Sequence, residues 1–307
     1  MKNRLLQSVQ ILISLICLVC ALAFVEPRTL AEAWATADPL MLWLTFLLML
    51  PAVWSRAFRW WYILRVKGVE VPLLTMTKVT FMGMALNVML PGGIGDVARS
   101  YYGWALAGNK EAMLASAIVD KIIALVTLCF LGAVCALLTG FTRIFAVSLF
   151  LGLPFLAVLV IPRVVPWQWA SYLFKRLLRK DFQKERLEST FHLDRIAFLN
   201  TIIISLLGWG FTNAMYYSAC LAFTPEVPSA YIFAIAPLIN LARAVPVAVS
   251  GLGSVDLLFI LLLRKVGVDE SIAMMASLIV DMSLVLLPGV IGAVLLATCR
   301  KAHPETL

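Results

Sequence analysis

Leu90-Pro91-Gly92-Gly93-Ile94-Gly95-Asp96-Val97-Ala98-Arg99 breaks an apolar run that starts at Leu73. Proline and glycine stop a helix, and Asp96 and Arg99 then put two charges where a membrane span would continue. The run before the break carries Lys78 and Asn87, and the return as far as Gly108 is too polar to face lipid. Arg99 and Lys110 bring the chain back towards a basic face. A re-entrant hairpin, entering and leaving by one side, satisfies all of this. Non-helical backbone is tolerated at membrane depth where protein or a polar cavity covers it.

The rest of the chain supplies the membrane. Of 307 residues, 62% are hydrophobic and 14% charged, with a mean hydropathy of +0.96, more apolar surface than a soluble core hides. Apolar runs at 9–25, 40–54, 112–141, 144–161, 196–223 and 272–298 come near the length that crosses a bilayer. Alternating ten-residue strands are absent from the sequence, which argues against an outer-membrane barrel. Backbone groups in lipid must be satisfied within the segment, so the fold class is all-α, a polytopic membrane bundle. About six full spans and two re-entrant hairpins account for the whole chain, 1–307, as a single transmembrane domain.

The formal charge of +8 does not indicate nucleic acid, because the basic residues sit in short stretches between apolar runs, where they set topology. Cys17, Cys20, Cys129, Cys135, Cys220 and Cys299 all fall in apolar runs and read as small buried hydrophobes. His192 and His303 are too few and too far apart for a zinc site, and no metal or other cofactor is expected.

Lys2 and Arg4 put the N-terminus in the cytoplasm. Ala21-Leu22-Ala23 resembles a signal-peptidase site, but the apolar run extends to Val25, which favours a retained signal anchor. The loop with Glu26, Glu32 and Asp38 faces out; Arg56, Arg59, Arg65 and Lys67 face in. Residues 163–195 hold Lys175, Arg176, Arg179, Lys180, Lys184 and Arg186 interleaved with Trp167, Trp169, Tyr172 and Phe174. This pattern predicts a cytoplasmic amphipathic segment lying on an anionic leaflet. The last span returns inward to Arg300 and Lys301, so both termini are cytoplasmic and the membrane is of the bacterial inner type. Arg264 and Lys265, which fall outside in this threading, run against the rule.

A self-match organises these parts. Ala115-Ser116-Ala117-Ile118-Val119-Asp120 recurs 161 residues later as Ala276-Ser277-Leu278-Ile279-Val280-Asp281. Upstream, Gly93-Ile94-Gly95 corresponds to Gly251-Leu252-Gly253 at an offset of 158, each preceded by an asparagine and a proline: Asn87 and Pro91, then Asn240 and Pro246. The first unit, 72–141, starts from the cytoplasm and the second, 229–298, from outside, so the threading makes them inverted repeats. Many secondary transporters are built this way, with broken segments meeting at the substrate site.

Ionisable residues inside a membrane face the bundle interior and pair. Here they are Asp96, Arg99, Asp120, Lys121, Arg243, Asp256 and Asp281. Exposed backbone N–H groups at Gly92, Gly93, Gly95, Gly251 and Gly253 suit an anionic headgroup. Arg99 and Arg243 suit its phosphate, with Asn87 and Asn240 beside them. Asp120, Lys121, Asp256 and Asp281 are read as charge-balancing or coupling groups; the competing reading makes them structural ion pairs holding the hairpins.

At these residues the chain resembles a known family, the lysylphosphatidylglycerol synthase transmembrane region, or flippase-like, family. The resemblance covers nearly the whole chain. It rests on Arg56-Ala57-Phe58-Arg59-Trp60, on Asn87 with Leu90 to Arg99, and on Val245-Pro246 with Gly251-Leu252-Gly253. This chain has Asp120-Lys121 where the family has an Asp-Arg pair, and Asp256 where it has a glutamate. The resemblance implies movement of lipid between leaflets, best known for aminoacylated phosphatidylglycerol. Family members that make the lipid carry a soluble transferase after the membrane region; Leu307 lies eight residues beyond Cys299, so no synthase is expected here. The leading expectation is a flippase or transporter of an anionic or modified phospholipid, or of a lipid-linked headgroup. The alternatives are a non-transporting partner of a lipid-synthesising or lipid-modifying enzyme, and a membrane-embedded enzyme acting on a lipid-linked phosphate.

Overall fold

The computed structural model describes residues 31–32, 34–89, 95–107, 110–160, 193–244 and 251–302. The apolar run at 9–25, the basic segment at 163–195 up to His192, and Gly92 and Gly93 lie outside them.

The described residues are helical throughout, without strands. α1 (Pro39–Val66) begins where Asp38 accepts a hydrogen bond from the Leu40 N–H at 2.8 Å, with Pro39 in the first turn, where its missing donor costs nothing. α2 (Leu73–Met89) and α3 (Gly95–Ala107) are the two arms of the broken segment, and α4 (Lys110–Leu138) follows. Gly140, at φ 76°, turns the chain into α5 (Thr142–Val160). After the basic segment come α6 (Arg195–Leu221), α7 (Ser229–Ala244) and α8 (Ser254–Arg264). α9 (Glu270–Asp281), capped by Asp269 on the Ser271 N–H, runs through a π turn at Met282–Leu286 into α10 (Leu287–Ala302).

Among the described residues four stretches are long and apolar enough to cross a membrane: α1, Ala112–Leu138 in α4, α6, and Glu270–Thr298 through α9 and α10. The apolar run at 144–161 gives α5, a shorter apolar helix. The outward faces match that setting. Trp43 is 74% exposed on α1, Phe150 76% on α5 and Val294 58% on α10, while Asp120, Asp256 and Asp281 are buried. A soluble monomer rarely shows so much contiguous apolar surface; lipid removes its cost.

The bundle closes around small residues. α1 and α6 make the most extensive pairing. Along it Thr45 and Ser218 share a hydrogen bond of 2.8 Å, and a Cβ on Gly208 would stand 2.3 Å from the Ser55 hydroxyl. Their shared interior packs Met215, Tyr216, Ile232 and Phe259 from α6, α7 and α8, all fully buried. The two halves then grip one another crosswise: α2 packs on α10, and α7 packs on α4. Glycines allow both approaches. A Cβ on Gly292 would lie 1.9 Å from the Phe81 carbonyl oxygen, and one on Gly132 would lie 3.1 Å from Pro237 Cβ. Gly132 and Gly292 are 160 residues apart, between the two offsets of the sequence self-match, 158 and 161.

Candidate functional site

The first hairpin is closed tightly. A Cβ at Gly95 would sit 2.3 Å from the Asn87 backbone nitrogen, so only glycine lets α3 start against the end of α2. Asn87 then ties the arms together, accepting from the Asp96 N–H at 3.1 Å and donating to Asp96 Oδ1 at 2.9 Å. Three residues on, the Arg99 stem crosses α2 at Gly83, where a Cβ would stand 2.7 Å from Arg99 Cδ. Arg99 is thereby aimed at α4.

There Asp120 is shared by two arginines. Arg99 Nη2 donates to Oδ2 and Arg59 Nε, from α1, to Oδ1, each at 2.6 Å. All three side chains are buried. Arg99 also donates to the Asp96 carbonyl at 3.0 Å and lies 4.4 Å above the Trp60 ring. Arg59 Nη1 donates to Ser205 on α6 at 2.9 Å, and Ser205 pairs with Thr127 on α4 at 2.5 Å. Lys121 forms an ion pair with Asp96 Oδ2. Buried charges persist only when paired and hydrogen-bonded in this way.

These groups line a cavity of about 80 Å³. Its wall includes Arg56, Arg59, Asp96, Arg99, Asp120, Lys121, Ser205, Trp209 and, from the second half, Asn240. The guanidinium of Arg56 lies 5.4 Å from the Trp209 ring centre, and Trp209 is fixed by its own hydrogen bond to the Ala124 carbonyl at 3.0 Å. Across Thr127 lies a second, apolar cavity of about 350 Å³ between α4, α5 and α6, lined by Phe130, Leu149, Leu153, Phe198 and Ile202 among others.

The second hairpin is organised differently. Gly251 and Gly253 hold φ of 81° and 80°, which only glycine adopts readily. The Gly253 N–H is taken by Asp256 Oδ2 at 2.8 Å, and Asp256 Oδ1 accepts from Ser277 at 2.5 Å. Arg243 donates to Asp281 Oδ1 at 2.6 Å, and Asp281 Oδ2 has no hydrogen-bond partner among the described residues. Asn240 donates to the Ala236 carbonyl at 2.9 Å.

The sequence-predicted residues therefore separate into two sets. Asn87 and Gly95 shape the first hairpin; Asp96, Arg99, Asp120, Lys121 and Asn240 line the charged cavity. Arg243, Gly251, Gly253, Asp256 and Asp281 form a separate buried network and do not line it. Both arginines expected at a phosphate, Arg99 and Arg243, hold aspartates. Sequence reasoning missed Arg56, Arg59, Ser205 and Trp209 as cavity residues. The sequence marks the arginines as topology residues after a span, whereas both lie within α1. Among the described residues no three His, Cys, Asp or Glu side chains are grouped as a metal site needs.

A search of curated proteins returns no match to this chain. The family model described as the lysylphosphatidylglycerol synthase transmembrane region matches residues 7–292. With nearly its whole length matched and an apolar helical bundle in keeping with that match, this chain belongs to the lysylphosphatidylglycerol synthase transmembrane-region family, membrane proteins of lipid modification and transport.

Proposed function

We propose that the protein moves a lipid between the leaflets of the cytoplasmic membrane, its headgroup passing through the charged cavity. One observation carries this: a cavity with four cations and two carboxylates, enclosed by the membrane-spanning helices α1, α4 and α6 and by the arms α3 and α7. Charge so placed is costly unless it serves a pathway or a partner. The neighbouring apolar cavity offers hydrocarbon a surface one helix face away from the headgroup's donors.

In this reading the chain is one transmembrane domain of about six spans and two re-entrant hairpins, with 72–141 and 229–298 as inverted repeats. Support comes from the crosswise pairing of α2 with α10 and of α7 with α4, and from Gly132 and Gly292 at those contacts. Asn240 entering the first half's cavity supports a site where both hairpins meet. The arginines and Lys121 attract the headgroup, and the aspartates hold them in place.

The test is reconstitution of the purified chain into vesicles carrying fluorescent lipids in one leaflet, over a panel of headgroups. Faster exchange than in protein-free vesicles is expected for at least one lipid. Exchange equal to that of protein-free vesicles for every headgroup sinks the proposal.

A further inference from the structure

The charge on the transported headgroup follows from which groups in the cavity are already engaged. Asp120 gives one oxygen to Arg59 and the other to Arg99. Asp96 gives Oδ1 to Asn87 and Oδ2 to Lys121. Each carboxylate oxygen of Asp96 and Asp120 therefore already accepts from a donor, so an incoming ammonium group would have to compete with a bonded cation or amide. On the other side of the balance, among the described residues four cations face two carboxylates, a formal excess of two positive charges.

Arg56 carries the part of that excess that is free to act. It forms no ion pair among the described residues. It is partly buried, and its guanidinium lies against Trp209, which the Ala124 carbonyl holds still. A guanidinium presents several donors in a fixed fork matched to phosphate oxygens, and stacking on a fixed ring limits the freedom lost when a ligand arrives. Uncompensated charge among membrane helices is expensive, so a ligand bringing two negative charges gains what the empty balance lacks.

We propose that this cavity selects a headgroup carrying about two negative charges and no ammonium of its own, a phosphomonoester or diphosphate, and that Arg56 is its charge-selecting residue. The proposal rests on the translocator reading for the source of that anion, a lipid, but its charge rule is separately testable. An aminoacylated headgroup, whose ammonium groups would face three arginines and a lysine, is disfavoured by the same arrangement.

Binding to the purified full chain in detergent would be measured by displacement of fluorescent phosphatidic acid. Competitors are unlabelled phosphatidic acid, phosphatidylglycerol, phosphatidylethanolamine, lysylphosphatidylglycerol, inorganic phosphate and diphosphate. Phosphatidic acid is expected to bind at least about tenfold tighter than the ethanolamine or lysyl lipid, the worth of one good charged hydrogen bond. Arg56→Gln should remove about tenfold of that affinity and leave the zwitterionic lipid unchanged; Arg56→Lys should keep part of it. Trp209→Phe, which cuts the tether to Ala124 but keeps a ring, should weaken phosphatidic acid less than Arg56→Gln does.

Equal or tighter binding of the lysyl lipid overturns the charge rule, as does an Arg56→Gln protein that melts like the wild type and binds phosphatidic acid equally well. Inorganic phosphate or diphosphate displacing the probe as effectively as the lipid overturns the lipid source. The two readings fail differently in vesicles. Selective binding without any lipid movement removes the translocator and leaves the charge rule; movement of cationic and anionic lipids at one rate removes the charge rule and leaves the translocator.

Discussion

Asp120 and Asp281 end the same six-residue motif, 161 residues apart, yet the two halves of the molecule use them differently. Asp120 is gripped by two arginines from two other helices and faces a cavity. Asp281 holds one arginine and, among the described residues, keeps an oxygen without a hydrogen-bond partner. The companion carboxylates diverge as well. Asp96 reaches across to Lys121 and Asn87 with 23% of its side chain exposed, whereas Asp256 turns back on the start of its own helix and is buried. The same short motif thus stands in one open, cross-braced charge cluster and in one closed cap. The difference comes from what each hairpin meets: among the described residues, Arg59 of α1 and Lys121 of α4 have no counterparts in the ion pairs of the second network.

The sharpest way to break this comparison is to remove both aspartates in turn. Asp120→Ala leaves two buried guanidiniums without a carboxylate and should cost about 3–5 kcal/mol, the range for breaking a buried pair, read as a loss of monodisperse protein in detergent. Asp281→Asn keeps the shape and leaves the largely buried Arg243 a polar neighbour; about 1.5–3 kcal/mol is expected, the range for a hydrogen bond to a charged group. Equal melting temperatures for the two variants would erase the asymmetry.

The glycine contacts sharpen it at the packing level. Gly292→Ala drives a methyl into the Phe81 carbonyl and should cost about 1–3 kcal/mol, the usual penalty of overpacking. Gly132→Ala meets only the Ser148 and Pro237 side chains at 3.0–3.1 Å, and should fall at the low end, about 1 kcal/mol. Thermal melts of the pair check the order. The smallest effect belongs to Arg56→Gln, which breaks no ion pair and should leave stability within about 0.5 kcal/mol of the wild type. A larger loss would make Arg56 a structural residue.

Much of the fold was legible because its causes are local. α2 stops at Met89, close to where the sequence pattern predicts a break, and Gly253, at φ 80°, stands at the start of α8, where backbone sterics favour glycine. Asp96, Arg99, Asp120 and Lys121 stood out because charge inside an apolar run has no cheap explanation. The site was legible only in part, since pairing is not local. Asp120 gives no sign in sequence that it will be shared by residues 59 and 99, and Gly253 gives none that Asp256 will take its N–H. Trp209 and Ser205 sit in an ordinary apolar span whose inward face no periodicity marks.

The sequence by itself determined that this chain is a helical membrane protein of the lysylphosphatidylglycerol synthase transmembrane-region family, with two glycine-broken segments and a repeated aspartate. Hydropathy, helix breaking and motif content act along the chain, so one dimension suffices to read them. Only the tertiary structure decided which cations are spent on aspartates and which one, Arg56, is not. In a medium without water to screen or solvate them, charges find their partners across helices, and that matching exists only once α1, α3, α4 and α6 are packed together.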